Sequence, residues 1–183
     1  PQCHLVPYAT PCGWTLLVLG LVGALGGILF ALPQANLKRL LAFSSVENMG
    51  VIAIGLGLAV LGWDAQPIGA LALAGALAHV LNHALLKGGL FLAAGSVLRQ
   101  TGTLDQDLLG GLMKRMPQTG TLFTLHALGL AGLPPLTGFL GELLIYSAAF
   151  AAVRTSSSAL ITAGFLVLTF LALTGGFAVA AYC

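Results

Sequence analysis

The stretch IGALALAGALAHVLNHALLKGGLFLAAGSVL, residues 68–98, decides how the chain is read. It is longer than the roughly 20 mostly apolar residues that one transmembrane helix needs, and its only ionisable groups are His79, His83 and Lys87. A spacing of four sets these three on one helical stripe, with successive side chains about 5–6 Å apart. A charge near the middle of a bilayer costs at least about 2.5–3.5 kcal/mol on insertion scales, and such groups turn toward a bundle interior or a water-filled cavity. Two imidazoles that titrate near neutral pH, followed by an amine, have the chemistry of a proton relay. The plainer reading of the same stripe is interhelical hydrogen bonding by the histidines, with Lys87 snorkelling to an interface. A metal site needs a further ligand of suitable type, and none is adjacent in sequence.

The composition around this stretch agrees with a lipid solvent. Charged residues make up 7% of the chain and hydrophobic residues 58%, and mean hydropathy is +1.00. A soluble domain carries roughly 25% charged residues and could not cover its surface with so few. The 25 glycines suit membrane helices that pack through small residues. A net charge of +2 gives no footprint for nucleic acid. Cys3, Cys12 and Cys183 lack metal-ligand spacing and read as filler. The chain begins at Pro1 without a signal-peptide pattern, which reads as an internal fragment.

Outward from residues 68–98, four further apolar stretches follow the same rule, predicting an all-α, polytopic transmembrane bundle of about five spans. The first runs from about Gly13 to Leu32, with Gly23 and Gly27 placed for close helix approach. The second covers about Leu37 to Leu61 and ends at Trp63 and Asp64, an interfacial signature. The fourth, from about Gly120 to Val153, would be about 50 Å long as one helix, against a hydrocarbon core of about 30 Å. It is expected to break at Pro134-Pro135, because two prolines remove ladder donors and disfavour helix before them. The fifth runs from about Ser158 to Ala181. Residues 1–183 form a single, partial transmembrane domain without internal repeat or soluble module. Lys38 and Arg39 share one side with Arg99, Lys114 and Arg115, and Arg154 falls on the other; the positive-inside rule makes the first side cytoplasmic.

Two further acids sit inside these spans. Glu142 follows the Pro134-Pro135 break, where unwound backbone and water reach a carboxylate in discontinuous helices; the alternative is a span end facing headgroups. Glu47, in Ser44-Ser45-Val46-Glu47-Asn48, either pairs with a base on another helix or forms a structural polar clasp. His126, two turns before the break, reads as capping a packing face. Asp105 and Asp107 lie in a mixed-charge surface loop and read as solvated. No Ser-His-Asp or Cys-His arrangement stands out, so the chain supplies no catalytic centre of its own.

These segments together resemble the antiporter-like membrane subunits shared by complex I, Mrp-type cation/proton antiporters and membrane-bound hydrogenases. The resemblance rests on the run from Gln34 to Gly50, the HxxxHxxxK core from His79 to Lys87, the Gly110-Gly111-Leu112 loop, and the run from Gly129 through Pro134-Pro135 to Glu142. Ser45-Val46-Glu47-Asn48 and the residues from Leu133 to Phe139 look most like the branch of hydrogenase-4 component B and formate hydrogenlyase subunit 3. Asn36 stands where the family has Asp, and Phe43 where Tyr or His is common.

The resemblance implies a proton- or cation-translocating subunit of an oxidoreductase complex in the inner membrane of a prokaryote. It has no redox centre of its own. Fe-S clusters, with a NiFe centre or a flavin, are expected in partner subunits, and the partners are other membrane and hydrophilic subunits of the complex. His79, His83 and Lys87 would match the central relay and Glu142 the terminal residue on the broken helix, while Glu47 belongs to the branch motif. The family is built from inverted five-helix repeats, of which this chain looks like the second. A complex I subunit, a standalone Na+/H+ antiporter and a non-conducting scaffold are the competing readings.

Overall fold

The structure, a computed structural model, describes residues 6–154 together with Ser158 and Thr162. Among the described residues six α-helices follow one another: α1 (Val6–Ala31), α2 (Leu37–Leu61), α3 (Ile68–Thr101), the short α4 (Leu112–Arg115), α5 (Pro117–Leu130) and α6 (Thr137–Val153). Among the described residues three segments, Ala9–Ala31, Leu37–Leu61 and Ile68–Thr101, are long and apolar enough to cross a membrane. The expected fifth span lies outside the described residues, as do Cys3 and Cys183.

Local chemistry sets the boundaries. α1 stops two residues before Pro33, because the residue preceding a proline is pushed out of helical conformation. Asn36 caps α2, its side-chain oxygen accepting from the backbone N–H of Lys38 at 3.1 Å and of Arg39 at 3.3 Å. α3 ends at Gly102, whose φ of 73° is the left-handed conformation that glycine adopts without penalty. α5 starts on Pro117, where the missing N–H is no loss.

α1 and α2 pack antiparallel along a glycine seam. A Cβ at Gly20 would lie 2.8 Å from the Gly50 carbonyl oxygen, and one at Gly57 would lie 2.8 Å from that of Gly13. A Cβ at Gly27 would run into the backbone of Glu47, and one at Gly50 into that of Ala24. The Gly23/Gly27 pair expected from spacing is therefore only half used: a Cβ at Gly23 would meet Gly50 Cα at 3.9 Å, an ordinary contact, and the seam follows residues 13, 20 and 27 against 50 and 57. A spacing of seven is close to two full helical turns, so residues 13, 20 and 27 share one face of α1 along its length. Substituting Gly50 by Val in the full-length protein is expected to cost about 3 kcal/mol through overpacking against backbone, seen as a lowered Tm in detergent. An unchanged Tm would disprove the seam.

α5 and α6 lie end to end along α3 and run antiparallel to it, so that Gly129 of α5 meets Leu86 while Gly141 and Ile145 of α6 meet His79 and Gly75. Neither α5, with 14 residues, nor α6, with 17, spans a roughly 30 Å hydrocarbon core alone at about 1.5 Å per residue. They form one crossing interrupted at residues 131–136, which contain the Pro134-Pro135 pair. The expected break is present.

The core has two apolar layers. One joins Leu17, Ala24, Ile54, Leu58, Ala72, Ile145 and Ala148; the other joins Leu40, Leu41, Leu90, Val97, Leu104, Ala127 and Leu130. The buried polar residues of α2 and α3 fall between these layers in both helices. Outward faces stay apolar, with Leu19, Leu81, Leu85 and Leu92 largely exposed, as suits contact with lipid or further helices.

The loop before α2 pairs with the loop after α3: Leu37 N–H donates to Leu104 O at 2.9 Å and Gln106 N–H to Ala35 O at 2.8 Å. This pairing sets Lys38 and Arg39 at the same end of the bundle as Arg99, Lys114 and Arg115, while Arg154 follows α6 at the other end. Asp107 is exposed, as expected of a solvated loop. Asp105 is not: it is half-buried, bridges to Asn36 and accepts from the Asp107 N–H, because the loop pairing draws it against α2.

Candidate functional site: a buried polar layer beside a broken helix

α3 turns His79, His83 and Lys87 inward on one stripe, all three less than 7% exposed. Facing them, α2 presents Ser44, Glu47 and Asn48, equally buried. One turn of α2 bridges two turns of α3 through a continuous polar ladder. The Lys87 ammonium donates to the Leu41 carbonyl at 3.0 Å and to the Ser44 hydroxyl at 2.5 Å. The Asn48 side-chain amide donates to the Ser44 carbonyl at 2.8 Å, and Asn48 Oδ1 lies 3.0 Å from His79 Nε2.

Glu47 lies among these groups and feels the charges of both Lys87 and Glu142. Of the two readings of Glu47, pairing with a base on another helix or a structural polar clasp, the first would take Lys87 as its base, but Lys87 gives its hydrogen bonds to Leu41 and Ser44 and not to Glu47. Three buried atoms in this layer have no hydrogen-bond partner among the described residues: Glu47 Oε2, His79 Nδ1 and His83 Nε2. Buried polar atoms are nearly always hydrogen-bonded, so three unpartnered atoms in one layer set it apart from an ordinary packed core.

The helix break reaches the same layer from the other side. Gly132, with φ of 66°, turns the chain after α5, and a Cβ there would lie 2.6 Å from Glu142 Oε2. The carboxylate of Glu142 therefore folds back from the first turns of α6 onto the unwound segment. Asn82, one residue before His83, donates to the Thr137 carbonyl at 2.6 Å and ties α3 to the start of α6. Gly141 lets α6 come so close that a Cβ there would lie 2.9 Å from the Cα of His79. Glu47, the histidine–lysine stripe and the Glu142 break are thus gathered around one level of the bundle.

His126 stands apart. Its Nδ1 is 2.6 Å from the Leu122 carbonyl, and its ring fills the space left by the missing side chain of Gly89. That agrees with a packing role. An apolar cavity of about 420 Å³, lined by residues such as Leu40, Val97, Met113 and Phe123, lies at the basic end and not at the polar layer. Among the described residues no group of three His, Cys, Asp or Glu could hold a metal ion, and Cys12 is exposed.

Reading the sequence alone missed Asn82 and Gly132 and treated Ser44 and Asn48 only as neighbours of Glu47. Ser44 and Asn48 carried a usable signal, being four apart and so on one face of α2. Gly132 carried none, because its value lies in a contact with a residue beyond the break.

Residues 6–172 match the family described as NADH:quinone oxidoreductase/Mrp antiporter, TM. Hydrogenase-4 component B of Escherichia coli (strain K12) is 41% identical over 173 residues, covering 92% of this chain and 26% of that protein. Formate hydrogenlyase subunit 3 of the same strain is 43% identical over 169 residues, covering 91% and 28%. Among solved structures, the Mrp complex from Dietzia sp. DQ12-45-1b aligns with a TM-score of 0.70 at 28% identity, over 89% of this chain and 29% of that one. The chain thus spans about a quarter of the length of the curated relatives it matches. With the inward-facing polar stripe and the broken helix already in place, this match identifies the chain as a member of the antiporter-like transmembrane family shared by NADH:quinone oxidoreductases and Mrp antiporters.

Proposed function

We propose that this chain belongs to a proton-translocating membrane subunit of a hydrogenase- or formate hydrogenlyase-type complex, in which electron transfer in partner subunits drives ion movement. One observation carries the reading: Glu47, His79, His83 and Lys87 form a buried polar layer with unpartnered atoms, sealed above and below by apolar layers. Such a layer is expensive for a purely structural protein, and in a membrane it marks an ion path. Identities of 41% and 43% to the two hydrogenase-type relatives favour that branch. In this reading Glu142 is the terminal exchanger at the break and Glu47 sets the field around Lys87. The redox groups, Fe-S clusters with a NiFe centre or a flavin, reside in partner subunits. The Lys38/Arg39 and Lys114/Arg115 end faces the cytoplasm of a prokaryotic cell.

The likeness to the Mrp complex favours a second reading, cation/proton exchange without a redox partner. Vesicles containing the full-length protein with its native partner subunits separate the two. Proton movement that starts only when electrons are delivered is the expected result. Na+/H+ exchange without any electron donor would transfer the assignment to the antiporter branch, and neither flux would reduce the protein to a scaffold.

A further inference from the structure

We propose that Asn48 is a positioning residue that holds His79 with its proton on Nε2, so that any proton His79 takes up enters and leaves through Nδ1. The inference deepens the proton-route reading above and rests on it for the passage of a proton, though not for the state of the ring.

The argument follows from donor and acceptor chemistry. A carboxamide has one donating and one accepting end. The NH2 end of Asn48 is 2.8 Å from the Ser44 carbonyl, which only accepts, so the side chain cannot be turned the other way. Its oxygen is therefore the atom 3.0 Å from His79 Nε2. That oxygen only accepts, so Nε2 carries the hydrogen and donates. In the neutral ring Nδ1 is then the sole base, and Nδ1 is buried without a hydrogen-bond partner among the described residues. The ring is confined as well: His79 is 2% exposed, and the backbone of Gly141 closes on its Cα and Cβ.

The consequence for transfer is specific. A histidine that passes protons straight through takes one on one nitrogen and releases another from the opposite nitrogen. An amide oxygen is too weak a base to accept the Nε2 proton, so that route is closed while the bond to Asn48 holds. A proton binds Nδ1 to give the imidazolium and is returned from Nδ1 to leave the neutral ring. His79 thus holds a proton beside the route, whereas His83, one turn along, has its Nε2 without a hydrogen-bond partner among the described residues.

Solid-state 15N NMR of the histidine-labelled full-length protein in lipid tests this, with the His79 signals identified by their loss in His79→Gln. The wild type is expected to show the Nε2-protonated form in excess over the Nδ1-protonated form by at least about tenfold, as one buried hydrogen bond provides. Asn48→Leu, of similar size, should bring the two forms toward equality. A wild-type ring protonated on Nδ1, or a ratio unmoved by Asn48→Leu, overturns the proposal. The wild-type spectrum alone is decisive if the variant does not fold. The spectrum reports on Asn48 whether or not protons cross the membrane, so its failure is distinct from a failure of the flux experiment above.

Discussion

Substituting Lys87 by Ala in the full-length protein should reduce electron-driven proton movement to the level of empty vesicles while the complex still assembles. The ammonium sits between two apolar layers and is held by two acceptors on α2, Leu41 O and Ser44 Oγ. Removing it leaves the Leu41 carbonyl its bond from the Ser45 hydroxyl at 2.9 Å, and Glu47, which makes no hydrogen bond to Lys87, loses only the nearby charge. It also relieves the roughly 2.5–3.5 kcal/mol insertion cost of a cation at the middle of a membrane helix. The fold should therefore survive the change that stops transport. Lys87→Arg sharpens the test, because a guanidinium keeps the charge and does not give up its proton. Full proton movement in the Arg variant would mean that charge alone is needed, and full movement in the Ala variant would remove Lys87 from the route.

Glu142→Gln is expected to have an equally large effect for a different reason. Gln has nearly the shape of Glu, so its side chain can still fold back over Gly132 and the break should stay intact, but an amide cannot take up and release a proton near neutral pH. Proton movement should fall to background with Tm unchanged. Gly132→Ala approaches the same contact from the other side. Its methyl group would lie 2.6 Å from the carboxylate oxygen and would demand φ near 66° of a residue with a Cβ, a conformation costing about 1–2 kcal/mol. Reduced proton movement accompanied by a lower Tm is expected for that variant. Glu142→Gln with wild-type flux would show that the carboxylate merely packs against the turn.

Much of the architecture follows from local rules. The second apolar stretch, expected over about Leu37 to Leu61 and ending at Gly62-Trp63-Asp64, is α2 with those limits. The break between α5 and α6 follows from a length too great for one crossing and from two adjacent prolines within it. The inward turn of His79, His83 and Lys87 follows from their spacing and from the cost of placing them in lipid. Contact partners are a different matter. Gly23 and Gly27 have the spacing of a packing pair, yet α1 meets α2 along residues seven apart, because the angle between two helices selects which row of small residues touches.

The residues 68–98 by themselves determined a membrane helix carrying three ionisable groups on one face, since helical period and the energetics of burial act within a single segment. Only the tertiary structure decided what that face meets. Asn48 and His79 are 31 residues apart in the chain and Ser44 and Lys87 are 43 apart. Whether such pairs join depends on the rotation and axial register of α2 against α3, which are set by the two apolar layers they share and not by any local pattern. The same register leaves Glu47, His79 and His83 each with an atom that has no hydrogen-bond partner among the described residues, while the turn at Gly132 brings Glu142 back across the break.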